Sequence, residues 1–257
     1  MERILSAFRG AIRLTLTFVL MASAVLLILL TGWMGITYRR IRLANWIIFG
    51  LARMVMPVLG VRVRCDAPEQ LWAHEGFIIG NHQSLMDVAV LVYLAPARFL
   101  SAAENRRYFM IGYLAEAVET IFVDRGNLRS RREALLSLGE ASRYPPIAVF
   151  PEGRINTDSE MLKFFSGVFR VAATSEIPLQ PFVIHYSRHD LVSWRDRAIF
   201  PELWKMSARK GPIDVTVRVL EPIHPTPDEN PVALARTTRQ HMMGAFSAIQ
   251  NPQPETE

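Results

Sequence analysis

From Leu14 to Tyr38 the chain runs for 25 residues without a charge, LTLTFVLMASAVLLILLTGWMGITY. As a helix that run would be about 37 Å long, against roughly 30 Å of bilayer hydrocarbon. Arg3, Arg9 and Arg13 precede it, and Ala22-Ser23-Ala24 has the small-residue form of a signal-cleavage site. That triplet sits inside the apolar run, which exceeds the roughly 7–15 residues of a signal core, so the segment reads as a retained membrane element. A second stretch, Ala44 to Leu59, is apolar apart from Asn45 and Arg53 and carries Pro57, which would end or kink a helix. It is short for a span and reads as an interfacial or packed helix. Arg39, Arg40 and Arg42 in the linker match the three arginines before the first segment, so the positive-inside rule gives no orientation. Equal basic flanks also suit a helical hairpin embedded from one side, its arginines meeting anionic headgroups. Trp33 and Trp46 read as interfacial anchors.

From about Val61 the pattern changes to short β-rich runs at Val61–Arg64, Phe77–Ile79, Ile121–Val123, Ile147–Phe150, Phe182–Ile184 and Val215–Leu220. Helical stretches lie between several of them, such as Leu128–Arg143, with apolar Leu128, Leu135 and Leu138. Arg129, Arg131 and Arg132 within it read as a solvated face. Alternation of strand and helix predicts an α/β fold, a single domain whose central, mostly buried sheet is flanked by helices. The expected organisation is a membrane-associated helical pair over residues 1–60, with segments at about 14–38 and 44–59. An α/β domain follows over 61–249, then a polar, proline-bearing, disordered tail over 250–257.

The net charge of +5 is carried mainly by arginine, and beside a membrane anchor it points to anionic lipid. No nucleic-acid motif accompanies it, so no nucleic acid is expected as a partner. Cys65 is the only cysteine, which excludes an intramolecular disulfide and reads as a small buried residue.

The candidate chemistry begins in GNHQSLMD, where Phe77–Ile79 reads as a strand and Met86–Leu91 as the apolar face of the next helix. His82 then stands at a strand's carboxyl end, where open α/β sheets collect ligands. Five residues along one straight helix would turn two side chains about 140° apart, so His82 must stand on the turn to meet Asp87. There Asp87 could accept a proton from one ring nitrogen and leave the other as a base. HYSRHD repeats the same spacing at His185 and Asp190, so the spacing alone does not choose between the two pairs. His82 and Asp87 are too few for a metal site, and no second cluster has metal-ligand spacing.

Three further blocks follow in order: TIFVDRGN, ending a strand in Asp124-Arg125; IAVFPEGRIN, a strand opening into Pro151-Glu152-Gly153; and IPLQPFVI from Ile177. Over about residues 77–184 this series resembles the glycerolipid acyltransferase family typified by 1-acyl-glycerol-3-phosphate (lysophosphatidate) acyltransferases. The resemblance selects His82 and Asp87 over His185 and Asp190. It implies acyl transfer from a thioester, acyl-CoA or acyl carrier protein, to the free hydroxyl of a lysophospholipid, lysophosphatidate first, with no bound cofactor. His82 would be the general base and Asp87 its orienting carboxylate. Arg125 and Arg154 would grip the substrate phosphate, since arginine binds phosphate bidentately. Gly153 would allow close backbone approach. Glu152, repelled by a phosphate dianion, is expected to hold an arginine, a backbone amide or a substrate hydroxyl. Pro178 and Pro181 are expected to shape a turn.

The third block departs from the family's usual Glu-Gly-Thr-Arg-Ser: here Arg154 arrives one position early and the threonine is absent. FPEGRIN with EMLKFFSGVFR also resembles the tafazzin branch, which moves acyl chains between phospholipids without CoA, so that branch or another headgroup is the alternative. A thioester hydrolase and a non-catalytic lipid-binding membrane protein are the remaining readings. Cytosolic thioester donors imply a catalytic domain facing the cytoplasm, and a bacterial inner membrane is the expected location. If the first segment spans and the second does not, the amino terminus would lie on the far side.

Overall fold

A computed structural model describes residues 1–108, 110–156, 160–193 and 199–251. The chain opens with α1 (Glu2–Thr31), a short β1/β2 hairpin (Thr37–Tyr38 and Ile41–Arg42) and α2 (Leu43–Val58). Strands and helices then alternate: β3 (Val61–Cys65), α3 (Pro68–Ala73), β4 (Phe77–Gly80), α4 (Met86–Leu94), β5 (Arg98–Ala102), α5 (Ile111–Ala117), β6 (Ile121–Val123), α6 (Leu128–Glu140) and β7 (Ile147–Val149). There follow α7 (Gly167–Thr174), β8 (Leu179–Tyr186), α8 (His189–Val192), α9 (Ile199–Ala208), β9 (Ile213–Val219) and α10 (Pro231–Gln250). Of the expected tail, residues 252–257 lie outside the described residues, and Gln250 still belongs to α10.

Seven strands form one sheet in the order β3-β9-β8-β4-β7-β5-β6. All neighbours are parallel except β8 and β9. This is the α/β fold that the alternation predicts. β8 shows why the sheet reads poorly as alternating hydrophobicity: both of its faces are covered. Phe182, Ile184 and Tyr186 join the core under α2, α3, α4 and α9, with Met56, Leu71, Leu91 and Met206. Leu179 and Val183 join the opposite core under α6, α7 and α10, with Leu138, Phe169 and Met242. Two helices start on asparagine caps: Asn127 accepts from the Arg129 and Ser130 amides, and Asn230 from those of Val232 and Ala233. Each cap satisfies amides that the first turn leaves without intrahelical partners.

Several expectations are corrected. Pro181 stands inside β8, paired with Ile79, and only Pro178 precedes the strand. The sequence reading missed β5; its first residue, Arg98, is buried and donates to the carbonyls of Pro145 and Ser142. Cys65 is half-buried, and burial pushes its thiol up to about 11. Trp33 is 81% exposed, but Trp46 packs among Tyr38, Phe49 and Trp72.

The amino-terminal helix starts at Glu2, twelve residues before the uncharged run, and the intervening arginines do not face outward together. Arg9 donates to the Arg209 carbonyl at 2.9 Å, Arg13 to the Ser207 carbonyl at 3.1 Å, and Ser6 to the Ala208 carbonyl at 3.0 Å. These carbonyls close α9, whose carboxyl end attracts cations. Gly10 permits the approach, since a Cβ there would stand 3.1 Å from Ala208. The other end of α1 is fastened too. Ala24 and Ile28 pack with Ala44 and with Leu114 of α5, and the hairpin pairs Arg40 with Glu75 and Arg42 with Glu119. Between these ends α1 exposes Phe18, Val19, Leu26, Leu27, Leu29 and Leu30. It is long and apolar enough to cross a membrane, yet both of its ends are tied to the α/β body.

Candidate active site

β4 lies between β8 and β7, and the chain leaves it toward one side of the sheet and returns on the other. A crevice forms outside the carboxyl end of such a strand, and His82 stands there, on the turn between β4 and α4. Asn81 shapes this turn. Its side-chain amide donates to the Ile184 carbonyl at 3.0 Å, and its oxygen accepts from the Ile184 amide at 2.7 Å, continuing the β4–β8 ladder by one rung.

His82 Nδ1 and Asp87 Oδ2 are 2.8 Å apart, with Asp87 fully buried and the His82 side chain 15% exposed. The same Oδ2 accepts from the amides of Gln83 at 2.7 Å and Ser84 at 2.9 Å, while Tyr186 donates its hydroxyl to Oδ1 at 2.6 Å. An acceptor so surrounded by donors holds a carboxylate in the core, helped by its place in the first turn of α4. Facing that carboxylate, Nδ1 carries the ring proton, so Nε2 is the nitrogen with a free lone pair. Nε2 has no protein partner among the described residues. The ring lies flat on Phe150, centroids 4.4 Å apart and planes 16° from parallel, which fixes its second plane of motion.

Glu152 belongs to the same constellation through the backbone. One carboxylate oxygen accepts from the His82 amide at 2.9 Å and the other from the Leu162 amide at 2.8 Å. The Asn156 amide in turn donates to the His82 carbonyl at 2.7 Å. Of the three expected roles, holding backbone amides is the one observed. Burial raises the Glu152 pKa, opposed by those amide donors and by Asn156. Pro151 and Glu152 are the central residues of a turn closed by the Gly153 amide on the Phe150 carbonyl, with proline and glycine where a type I turn favours them. At Gly153, φ is +72° and a Cβ would stand 2.6 Å from the Phe165 ring, so only glycine fits.

Arg154 follows on this turn, exposed, and Arg125 follows β6. Both stand at the carboxyl edge of the sheet with His82, and neither contacts the dyad. Three strand spacings separate β6 from β4, about 14 Å. Neither guanidinium has a carboxylate or carbonyl partner among the described residues. Arg125 is exposed at its surface, yet surrounding protein desolvates it and lowers its pKa, which Glu104 opposes.

The rival pair does not assemble. His185 is adjacent to Tyr186 and therefore faces the other side of β8, edge-on to Phe246 of α10, while Asp190 pairs with Arg188. Sequence reasoning missed Tyr186, Phe150, Asn81 and Asn156. The last three lie in blocks already singled out; Tyr186 lies in the rival HYSRHD, where only strand alternation could have marked it as the residue facing Asp87.

A site with one oriented imidazole, an Nε2 unpartnered among the described residues and guanidiniums along the same edge can deprotonate a hydroxyl on an anionic or zwitterionic substrate. The acyltransferase family profile matches residues 62–185. The chain is 32% identical over 215 residues to the lyso-ornithine lipid O-acyltransferase of Pseudomonas aeruginosa, covering 80% of this chain and 78% of that protein. It is 30% identical over 212 residues to the lyso-ornithine lipid O-acyltransferase of Brucella abortus, covering 72% and 76%. The crystal structure of the 1-acyl-sn-glycerophosphate acyltransferase of Thermotoga maritima superposes with a TM-score of 0.74 at 19% identity, over 99% of this chain and 100% of that one. That last likeness concerns the fold.

Proposed function

Because the chain belongs to the acyltransferase family, we propose that His82 and Asp87 are its catalytic pair and that a lysolipid hydroxyl is its acyl acceptor. The observation that carries this reading is the 2.8 Å contact from His82 Nδ1 to a fully buried carboxylate, which leaves Nε2 open to the crevice. Nε2 takes the proton of the acceptor hydroxyl as its oxygen attacks the thioester carbonyl. The carbon–sulfur bond then breaks, the imidazolium returns the proton to the departing thiolate, and an ester remains. No covalent enzyme intermediate is needed. The donor is acyl-CoA or acyl carrier protein.

For the acceptor, the two lyso-ornithine lipid O-acyltransferases at 32% and 30% identity favour a lyso-ornithine lipid. An amino-acid headgroup carries a carboxylate for Arg125 and an ammonium for neighbouring Glu104, whereas Glu104 would repel a phosphate dianion. Lysophosphatidate, toward which the order of the sequence blocks points, is the second reading. The purified protein with each lysolipid and each thioester donor decides, with the ester product identified by mass spectrometry. Thioester loss without an acceptor would make it a hydrolase; ester formed from an intact phospholipid donor would make it a transacylase. With either lysolipid, Arg125→Ala raises the acceptor KM by roughly 10–100-fold, the loss of a charged hydrogen bond, and leaves the donor KM unchanged. An unchanged acceptor KM would remove Arg125 from the headgroup site.

Residues 1–60 act as the membrane anchor in this reading, and they do so from one side. A helix whose amino end is bonded to α9 and whose carboxyl end packs on α5 cannot place those ends across a bilayer. Its exposed apolar stripe instead enters one leaflet, in a bacterial inner membrane the cytoplasmic one. Epitope tags at the amino and carboxyl termini are then both digested by protease added to inverted vesicles. Protection of the amino-terminal tag alone would restore a full span.

A further inference from the structure

β8 ends in the only side chain that reaches the outer oxygen of the catalytic carboxylate among the described residues. The Tyr186 hydroxyl donates to Asp87 Oδ1 at 2.6 Å, while Oδ2 takes His82, Gln83 and Ser84. Both residues are buried, Asp87 fully. We propose that Tyr186 is a positioning residue of the acyl-transfer site: its hydrogen bond fixes the plane of the Asp87 carboxylate and moderates the pull of that carboxylate on the His82 Nδ1 proton. This rests on His82 being the base.

Three donors on one oxygen restrain the carboxylate yet leave it small swings about its Cβ–Cγ bond. A fourth donor on the opposite oxygen removes that motion and keeps Oδ2 aimed at Nδ1. It also draws negative charge toward Oδ1, so Oδ2 pulls less strongly on the Nδ1 proton. Tyr186 remains a donor throughout the working range, because burial and then the Asp87 charge raise its pKa well above the ordinary value. Among the described residues, other titratable contacts at the pair are few: β7's following turn contributes Glu152, bonded to the His82 backbone, and α4 contributes Asp87 itself. Strand alternation makes the arrangement specific, since a one-residue slip of β8 would offer His185 to Asp87 in place of the phenol.

The bland alternative is a large core side chain whose hydroxyl merely satisfies a buried oxygen. The test compares pH profiles of kcat/KM for wild type, Tyr186→Phe and Tyr186→3-fluorotyrosine, with His82→Ala as the reference. Tyr186→Phe lowers kcat about tenfold, the worth of one such bond, keeps both KM values within about twofold, and moves the acid limb to higher pH. The fluorinated phenol keeps the shape and is the stronger donor, so it moves the acid limb to lower pH, and it decides the matter even if the phenylalanine variant does not fold. In an Asp87→Asn background Tyr186→Phe no longer moves the acid limb, because the charge it moderates is gone, and the loss that remains is that of the plane-fixing contact alone. An acid limb unmoved by the fluorinated phenol, or moved equally by Tyr186→Phe with and without Asp87→Asn, overturns the proposal while His82→Ala stays inactive. Turnover retained by His82→Ala instead overturns the assignment of the base.

Discussion

His82→Ala lowers acyl transfer by roughly 10²–10⁴, the usual worth of general base catalysis, and leaves the protein folded. The side chain is at the mouth of the site, and its lost packing is chiefly the stack on Phe150, worth about 0.5–1.5 kcal/mol. Both KM values stay near wild type, because the imidazole meets the reacting oxygen and neither the headgroup nor the acyl chain. Asp87→Asn separates geometry from charge. Its oxygen can still face the amides of Gln83 and Ser84 and accept from Nδ1, and its NH₂ can face the Tyr186 oxygen, since a hydroxyl can turn to accept. The tautomer survives and only the stabilisation of the imidazolium is lost, so Asp87→Asn falls between wild type and His82→Ala. Product formation at saturating substrates, with a thermal melt of each variant, reads both effects. Full turnover in His82→Ala with intact product would end the proposed mechanism.

The parts of this site that were legible in the sequence are those held by local geometry. A histidine and an aspartate five apart cannot meet along a helix, so a turn followed by a helix was required, and the Asn81–Leu85 turn supplies it. Pro151 and Gly153 likewise mark a tight turn by their own backbone preferences. The rival His185–Asp190 pair fails for a reason that spacing does not contain: β8 continues to Tyr186 and points His185 at α10. Glu152 was recognised, but its partners were not, since they come from the turn after β4 and from Leu162, brought together only by sheet order.

At the level of fold, α/β alternation was readable from the short apolar runs, while β5 was not. It begins with a buried arginine whose charge is met by carbonyls from the loop before β7, a contact far away in sequence. The start of α1 was misplaced for a related reason. Charge marked Arg9 and Arg13 as the flank of a span, whereas tertiary structure offers them the carbonyl end of α9.

Glu152→Gln lowers kcat by roughly 10–100-fold with acceptor and donor KM little changed, and it lowers the melting temperature by several degrees. The carboxylate is buried and accepts two backbone N–H groups, one of them on His82 itself. Glutamine offers one acceptor and one NH₂, so whichever way it turns, a buried donor meets a donor. That costs about 1–3 kcal/mol, which for a chain of this size is on the order of 2–4 °C per kcal/mol. If the unpaired amide is that of His82, the turn shifts and Nε2 leaves the line of attack, where a displacement near 1 Å costs on the order of 10² in rate. The pH dependence carries an independent sign. Burial raises the folded-state pKa of Glu152 above its ordinary value of 4.5, so the folded protein binds this proton more tightly than the unfolded chain. Its contribution to stability is therefore largest below the unfolded value and is lost as pH rises through the raised one. Glu152→Gln removes that part of the slope, so melts at successive pH values fall less steeply for the variant than for wild type across this window. A rise in acceptor KM at constant kcat would instead place this carboxylate against the substrate, and with it would go the view that the third sequence block serves to hold the histidine in position.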